Sequence, residues 1–346
     1  MKTEDFDFKL PQALIAQYPC EPRDKARMMI VNRKQRSIKC GYFRDISGYL
    51  NKDDTLIIND SKVIPARLFG KKPTGGMIEI LLLSRKDEGS PHFQIWEALL
   101  RPAKRVKIGT EIVFGEESSA KITKRISDKK WLLNFQTEIS FEHFLEKYGR
   151  APLPPYIKRD KTHGTNFHDL TRYQTVYARM PGSVAAPTAG LHFSKEILKK
   201  MKDHGVQIAP VTLHVGYGTF LPIETLHVED HLMDSEYFEL SKETADIVNE
   251  AKRLTAVGTT STRVLESLTD RQGKVKSSSG YTNLFIHPGY QFKKVDRLIT
   301  NFHLPKSSLF LLVCAFAGTE LMKKAYKKAI EEKFRFYSYG DCMLII

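Results

Sequence analysis

The sequence predicts an α/β protein in which both chain ends, residues 1–67 and 151–346, form a Rossmann-like α/β domain. A small antiparallel β-barrel, residues 68–150, is expected as an insertion. Three observations carry this expectation. Between Leu68 and Gln136, short strand-like runs follow one another with only turns between them. Beyond Pro152, apolar strands alternate with amphipathic helices, the pattern of a largely parallel sheet. The length, 346 residues, suits about two domains, each able to close its own core.

The elements follow in order. Thr55 to Ile58 is β-branched and apolar, as a buried strand is. The barrel strands are Met77 to Leu83, Phe93 to Leu100, Glu111 to Phe114, Ala120 to Ile126 and Trp131 to Phe135. Thr74-Gly75-Gly76, Glu88-Gly89-Ser90-Pro91 and Ser127-Asp128 supply turns between them. A short helix, Phe141 to Tyr148, leads into Pro152-Leu153-Pro154-Pro155-Tyr156, which cannot be helical and reads as a linker. Ser194 caps a helix from Lys195 to His204, stopped by Gly205, and the strand Val206 to Val215 follows. Ser241 caps Lys242 to Arg253, which runs into the strand Leu254 to Val257. The remaining expectations are helices at Arg263 to Leu268 and Glu320 to Lys333. Strands are expected at Leu284 to His287, Arg297 to Phe302 and Leu309 to Val313.

Composition excludes several classes of function. Forty-one per cent hydrophobic and 27% charged residues is globular composition. The acidic N-terminus does not read as a signal peptide, and no apolar run approaches the roughly 18 residues of a membrane span. The four cysteines form no C-x-x-C pair, which fits a reducing cytoplasm. A net charge of +14 points toward a polyanionic partner.

Candidate chemistry gathers at strand ends, where open α/β sheets bind ligands. Asn59-Asp60-Ser61-Lys62 follows one buried strand, with Arg67 shortly after. His214, Gly216 and Gly218 follow another, and the glycines let backbone approach a ligand. Val257 to Arg263 runs a strand into a hydroxyl-rich helix start, suited to an anion or to elaborate capping. Asn301 and His303 end a fourth strand. His227-Val228-Glu229-Asp230-His231 could hold a metal on a helix, but its setting reads as a loop, so acid–base work by a His or carboxylate is the better reading. Tyr156 to Lys161 and Arg172-Tyr173-Gln174 interleave cations with aromatics, as single-stranded RNA binding and a solvated surface both do. Lys323, Lys324, Lys327 and Lys328, balanced by Glu331 and Glu332, read as a solvated helical face.

Longer blocks carry a resemblance. Asn59 to Arg67, Pro152 to Ile157, Tyr173 to Tyr177, Ala185 to Phe193, Thr212 to Phe220, Val257 to Arg263, Asn301 to Pro305 and Phe334 to Asp341 are arranged in order along essentially the whole chain. Together they resemble the S-adenosylmethionine:tRNA ribosyltransferase-isomerase family of queuosine biosynthesis. One block departs: where that family usually reads Met-His-Ser/Ala-Glu, this chain has Met233-Asp234-Ser235-Glu236.

The resemblance implies a reaction, partners and site residues. The ribosyl part of S-adenosylmethionine would move onto 7-aminomethyl-7-deazaguanine at the tRNA wobble position and rearrange to an epoxycyclopentanediol. Adenine and methionine would leave. S-adenosylmethionine is then consumed as a substrate, with no metal and no bound cofactor, and the anticodon arm is the partner of a cytoplasmic monomer. Proton transfer falls to His192, His214 or His303, with Glu229 and Asp230 as rival bases. Substrate binding falls to Asn59, Asp60, Arg67, Tyr173, Thr188, Gly216, Gly218, Thr219 and Asn301. Thr259, Thr260, Ser261 and Arg263 would hold an anionic group, either the methionine carboxylate or an anticodon phosphate. A methyltransferase using the same donor and a non-catalytic RNA-binding module are the alternatives.

Overall fold

A computed structural model describes residues 1–86, 90–159 and 166–346. Glu88 and Gly89 of the expected turn, and Asp160 and Lys161 of the basic segment, lie outside the described residues.

The barrel forms because its strands alternate apolar and polar residues with period two. Arg67–Lys71 pairs with Met77–Arg85, and the ladder continues through Phe93–Arg101, Lys130–Gln136, Ser118–Arg125 and Glu111–Phe114. A final pairing of Lys71 with Val113 closes six antiparallel strands on themselves. Closure packs side chains over the seam: a Cβ on Gly70 would run into Ile112 and lie 2.9 Å from Phe114 Cε1, so a larger residue has no room there. The helix Phe141–Tyr148 is capped by Ser140 and sets Phe141, Phe144 and Leu145 into the barrel core beside Phe114 and Phe135.

The second body is a nine-stranded sheet drawn from both chain ends. Its order is Ser278–Thr282, Glu236–Leu240, Gln207–Leu213, Asp54–Asn59, Arg253–Val257, Arg297–Asn301, Cys342–Ile345, Arg27–Asn32 and Ser37–Tyr42. Ile57 packs into the core on one face, with Phe302 and Phe310, while Leu56 and Ile58 face the other, with Phe43 and Phe193. Ser194 accepts from Ile197 N and Ser241 from Thr244 N, as their N-cap positions require.

Several expectations are corrected here. The sheet is mixed: the four strands from Gln207–Leu213 to Arg297–Asn301 run parallel, but antiparallel pairings flank them on both sides. Leu309 to Val313 is not a strand. It lies in the helix Ser308–Ala317, whose cap Ser307 accepts from Phe310 N, and burial on nearly all sides erases the helical period that would have marked it. Leu284 to His287 is non-regular, and the strand falls instead at Ser278–Thr282. The helix expected at Arg263 begins at Gly258. The proline segment is indeed non-helical, but it is no free linker: Ala151, Leu153 and Ile157 are buried with Val63, Tyr173 and Tyr339.

One clamp fixes the sheet where its parallel strands begin. Asp54, with a fully buried side chain, accepts from Arg253 Nε at 2.5 Å and Nη2 at 2.7 Å, from Arg297 Nη1 at 3.3 Å and from Asn51 N at 2.8 Å. Arg253 and Arg297 start two neighbouring strands. Asp54→Asn removes the charge from a buried ion pair and leaves two guanidinium groups undercompensated. Because both guanidinium groups keep partial access to water, we expect it to lower unfolding stability by about 1–3 kcal/mol in urea titration.

Candidate active site

Asn59, Leu213, Val257 and Asn301 end the four parallel strands along one edge of the sheet. Asn59 continues the ladder with its side chain. Its Nδ2 donates to Leu213 O at 3.0 Å and to Thr260 Oγ1 at 3.3 Å, and its Oδ1 accepts from Leu213 N at 3.1 Å and Ser61 N at 3.1 Å. Asp60 turns the chain away from the strand. Its buried carboxylate accepts from Thr212 Oγ1 at 2.7 Å and from Arg179 Nε at 3.1 Å, although the Arg179 side chain is 68% exposed. Ser183 links the next layer, 3.2 Å from Ser61 Oγ and accepting from Val215 N at 2.7 Å.

The three candidate histidines have different surroundings. His214 follows the strand end, half-buried and stacked on Tyr237 at 5.6 Å, and its ring leaves no room for a side chain at Gly182. Its Nδ1 is buried with no hydrogen-bond partner. Burial pushes its pKa below 6.5, and Asp60 and then Glu239 pull the other way. His192 is fully buried, with Nε2 3.0 Å from Asn301 Oδ1, and desolvation pushes it down to about 4. His303 is held on both sides, by Thr300 Oγ1 at 3.1 Å and Tyr326 Oη at 3.4 Å, and burial pushes it down to about 3. Asn301 donates to Tyr337 O, so His192 and Asn301 belong to a network reaching the C-terminal segment.

The hydroxyl-rich helix start is buried. Ser261 Oγ donates to Val257 O at 2.8 Å and Thr262 Oγ1 to Gly258 O at 3.1 Å, so both hydroxyls turn back on their own helix. Thr260 accepts from Asn59, and Thr259 is buried beside it. Arg263 is buried and pairs through Nη2 with Glu236 Oε2, while its Nε and Nη1 have no partner. Glu236 Oε1 accepts from Gly216 N at 2.8 Å and Thr219 Oγ1 at 3.2 Å. Sequence reasoning gave Glu236 no role. It closes the Met233–Glu236 block of the resemblance, a signal for the position, but only the fold sets it against Arg263.

The structure therefore gathers Asn59, Asp60, His214, Gly216, Thr219, Thr260 and Arg263 around the ends of adjacent strands. Gly218 lies beside them, with the Asp234 carboxylate against its Cα, and Asp234 also pairs with Lys130 of the barrel at 3.3 Å. Thr188 begins the 3₁₀ turn Thr188–His192, which packs on the helix Gly258–Leu268. Three candidates lie in other networks. Arg67 pairs with Glu79 and donates to Leu153 O, Glu229 pairs with the Met1 ammonium at 2.7 Å, and Asp230 is exposed on the same short turn as Glu229.

The proposed RNA-stacking segments need correction. Tyr173 is buried, Tyr156 Oη bonds Ser338 Oγ at 2.7 Å, and Arg159 and Arg172 pair with Asp169 and Glu21. Burial closes the Tyr173 ring to a base, and Tyr156 is half-buried against Tyr337. Among the described residues, no group of three or more His, Cys, Asp or Glu side chains could hold a metal ion. A groove of 490 Å³ opens elsewhere, between Phe8, Phe310, Tyr326 and Ile330, and none of the strand-end polar residues lines it.

Fold and strand-end cluster define an α/β enzyme with an inserted β-barrel. A family model described as "Queuosine biosynthesis protein" matches residues 3–345. The S-adenosylmethionine:tRNA ribosyltransferase-isomerase of Syntrophus aciditrophicus (strain SB) is 56% identical over 361 residues, covering 100% of both chains. The crystal structure of S-adenosylmethionine tRNA ribosyltransferase from Thermotoga maritima is 38% identical, covers 99% of this chain and 100% of that one, and has a TM-score of 0.55. The chain belongs to the queuosine biosynthesis family.

The buried histidines generate a prediction about acid stability. His192 and His303 hold fewer protons folded than unfolded once pH falls below 6.5, so unfolding stability falls from there toward pH 4 and pH 3 respectively. The slope per histidine is at most about 1.4 kcal/mol per pH unit. Urea titrations between pH 7 and 5 should show it, and His303→Gln should remove its share.

Proposed function

We propose that this chain transfers the ribosyl group of S-adenosylmethionine onto 7-aminomethyl-7-deazaguanine at the wobble position of tRNA. The ribose is isomerised to give epoxyqueuosine, and adenine and methionine leave. Family membership and the full-length relative named for ribosyl transfer and isomerisation support this reading. The chain acts as a cytoplasmic monomer, consumes S-adenosylmethionine as a substrate and needs no bound cofactor. Its working units are the barrel, 68–150, and the discontinuous body of 1–67 and 151–346.

His214 is the proton-transfer group in this proposal, and its unpartnered Nδ1 is the observation that carries the choice. The sulfonium acidifies the neighbouring C5′ protons, and an imidazole must be neutral to take one. His214 is neutral at pH 7, half-buried and next to the strand-end cluster, whereas His192 and His303 are fully buried with side-chain partners. Asp60 supports the imidazolium that forms. Asn59 and Thr260 set the floor, and Gly216 and Gly218 let backbone approach the nucleoside.

Nucleoside mass analysis after incubation with S-adenosylmethionine and tRNA carrying the deazaguanine base tests the reaction. Release of S-adenosylhomocysteine would mean methyl transfer, and tRNA binding without donor consumption would mean a binding module. His214→Ala should lower turnover by about 10²–10⁴-fold. In the parent enzyme, kcat/KM should rise with pH on a limb centred below 6.5, because only the neutral imidazole accepts a proton. The His214→Ala variant should lack that limb. Full turnover by His214→Ala would refute the assignment.

With +14 of net charge, tRNA affinity should come from phosphate contacts and fall linearly in log–log form with salt. Filter binding across a salt series measures the slope, and a flat response would exclude a phosphate-driven interface.

A further inference from the structure

We infer that Arg263 binds the carboxylate of the methionyl arm of S-adenosylmethionine and that Glu236 positions the guanidinium for it. This rests on the reaction proposed above. The Arg263 side chain is 2% exposed and Glu236 4% exposed. Glu236 is fully engaged: Oε2 accepts from Arg263 Nη2, and Oε1 accepts from Gly216 N and Thr219 Oγ1. Arg263 is not, because Nε and Nη1 are sealed from solvent with no acceptor. A buried charged donor left unpaired is costly, and Nε and Nη1 open on different edges of the guanidinium, so each calls for an acceptor that the chain itself does not supply and a carboxylate can meet one of them beside Nη2.

Burial decides which acceptor. The phosphate of a polynucleotide cannot follow its chain into a site this closed, whereas a carboxylate on the flexible arm of a small molecule can. Charge agrees: Glu236, Arg263 and a bare anion sum to one negative charge, and the α-ammonium of an amino acid restores neutrality. The neighbouring hydroxyls of Ser261 and Thr262 are committed to Val257 O and Gly258 O. Thr260 accepts from Asn59, and Arg263 is the one cationic side chain of the helix, so its guanidinium carries the charge that an anion would meet. Glu236 also tethers the Gly216–Thr219 turn, so the turn or the side chains beside it move aside when the ligand enters.

The test compares S-adenosylmethionine with decarboxylated S-adenosylmethionine, reading adenine release on tRNA that carries the deazaguanine base. With the unaltered enzyme, kcat/KM for the decarboxylated compound should be at least about tenfold lower, mainly through KM. Arg263→Gln should reduce S-adenosylmethionine to that lower level while leaving the decarboxylated compound nearly unaffected. Equal losses on both donors would assign Arg263 a structural role and overturn the inference. Equal use of the two donors by the unaltered enzyme would overturn it even if Arg263→Gln fails to fold. No adenine from either donor would instead refute the underlying reaction, and this inference with it.

Discussion

The strand Asp54–Asn59 is buried at every position, yet it begins and ends with a polar side chain. That combination constrains the rest of the structure. A buried polar group without partners costs about 1–3 kcal/mol, and a buried charge more, so both ends must be answered by neighbours. At its start, Asp54 draws in Arg253 and Arg297 and aligns the strands that they open. At its end, the Asn59 amide bonds both N and O of Leu213, substituting for a peptide group and carrying the ladder one step past the strand. The strand-end cluster is organised around this second clamp. Asp60 and Ser61 are aimed by the turn that Asn59 stabilises, and Thr260 is fixed above it.

Partner satisfaction separates structural from chemical residues better than residue type does. Sequence alone treats His192, His214 and His303 alike, and Ser261 like Arg263. In the fold, His303 has side-chain partners at both ring nitrogens, and Ser261 is bound to its own helix. His214 and Arg263 keep buried nitrogens without partners beside the strand-end cluster. Under the proposed function, bound substrate supplies the partners that these nitrogens lack in the chain.

Much of the architecture was legible in the sequence for reasons that are local. Glu111–Phe114 and Phe141–Tyr148 fall where their periodicity placed them, because one face of each meets the core and the other meets water. Ser194 and Ser241 cap as read. Leu309 to Val313 misled because burial on nearly all sides removes periodicity, leaving a helix and a strand indistinguishable by pattern. The composition of the hydroxyl run suits an anion or elaborate capping, and in the fold Ser261 and Thr262 turn back on their own helix while Thr260 accepts from Asn59. The role of Glu236 was illegible because it lies in a contact 27 residues away, and no local pattern encodes such a pairing.

Asp234 stands where the family resemblance leads to a histidine, and its setting limits what it can do. Its side chain is 54% exposed and its partner Lys130 is 34% exposed. A pair this open to water is worth about 0–1 kcal/mol. It bridges the barrel to the edge of the active site, against Gly218 in the turn that Glu236 tethers. Such a contact biases the orientation of the turn without locking it, since thermal energy and salt both compete with it. The strong tether is the buried one, Glu236 to Gly216 and Thr219, which sits on the guanidinium that the methionyl carboxylate would approach. The turn is thus joined to both bodies, through Tyr217, which packs on the barrel core, and through Gly216 and Thr219, which Glu236 ties to its ion pair with Arg263.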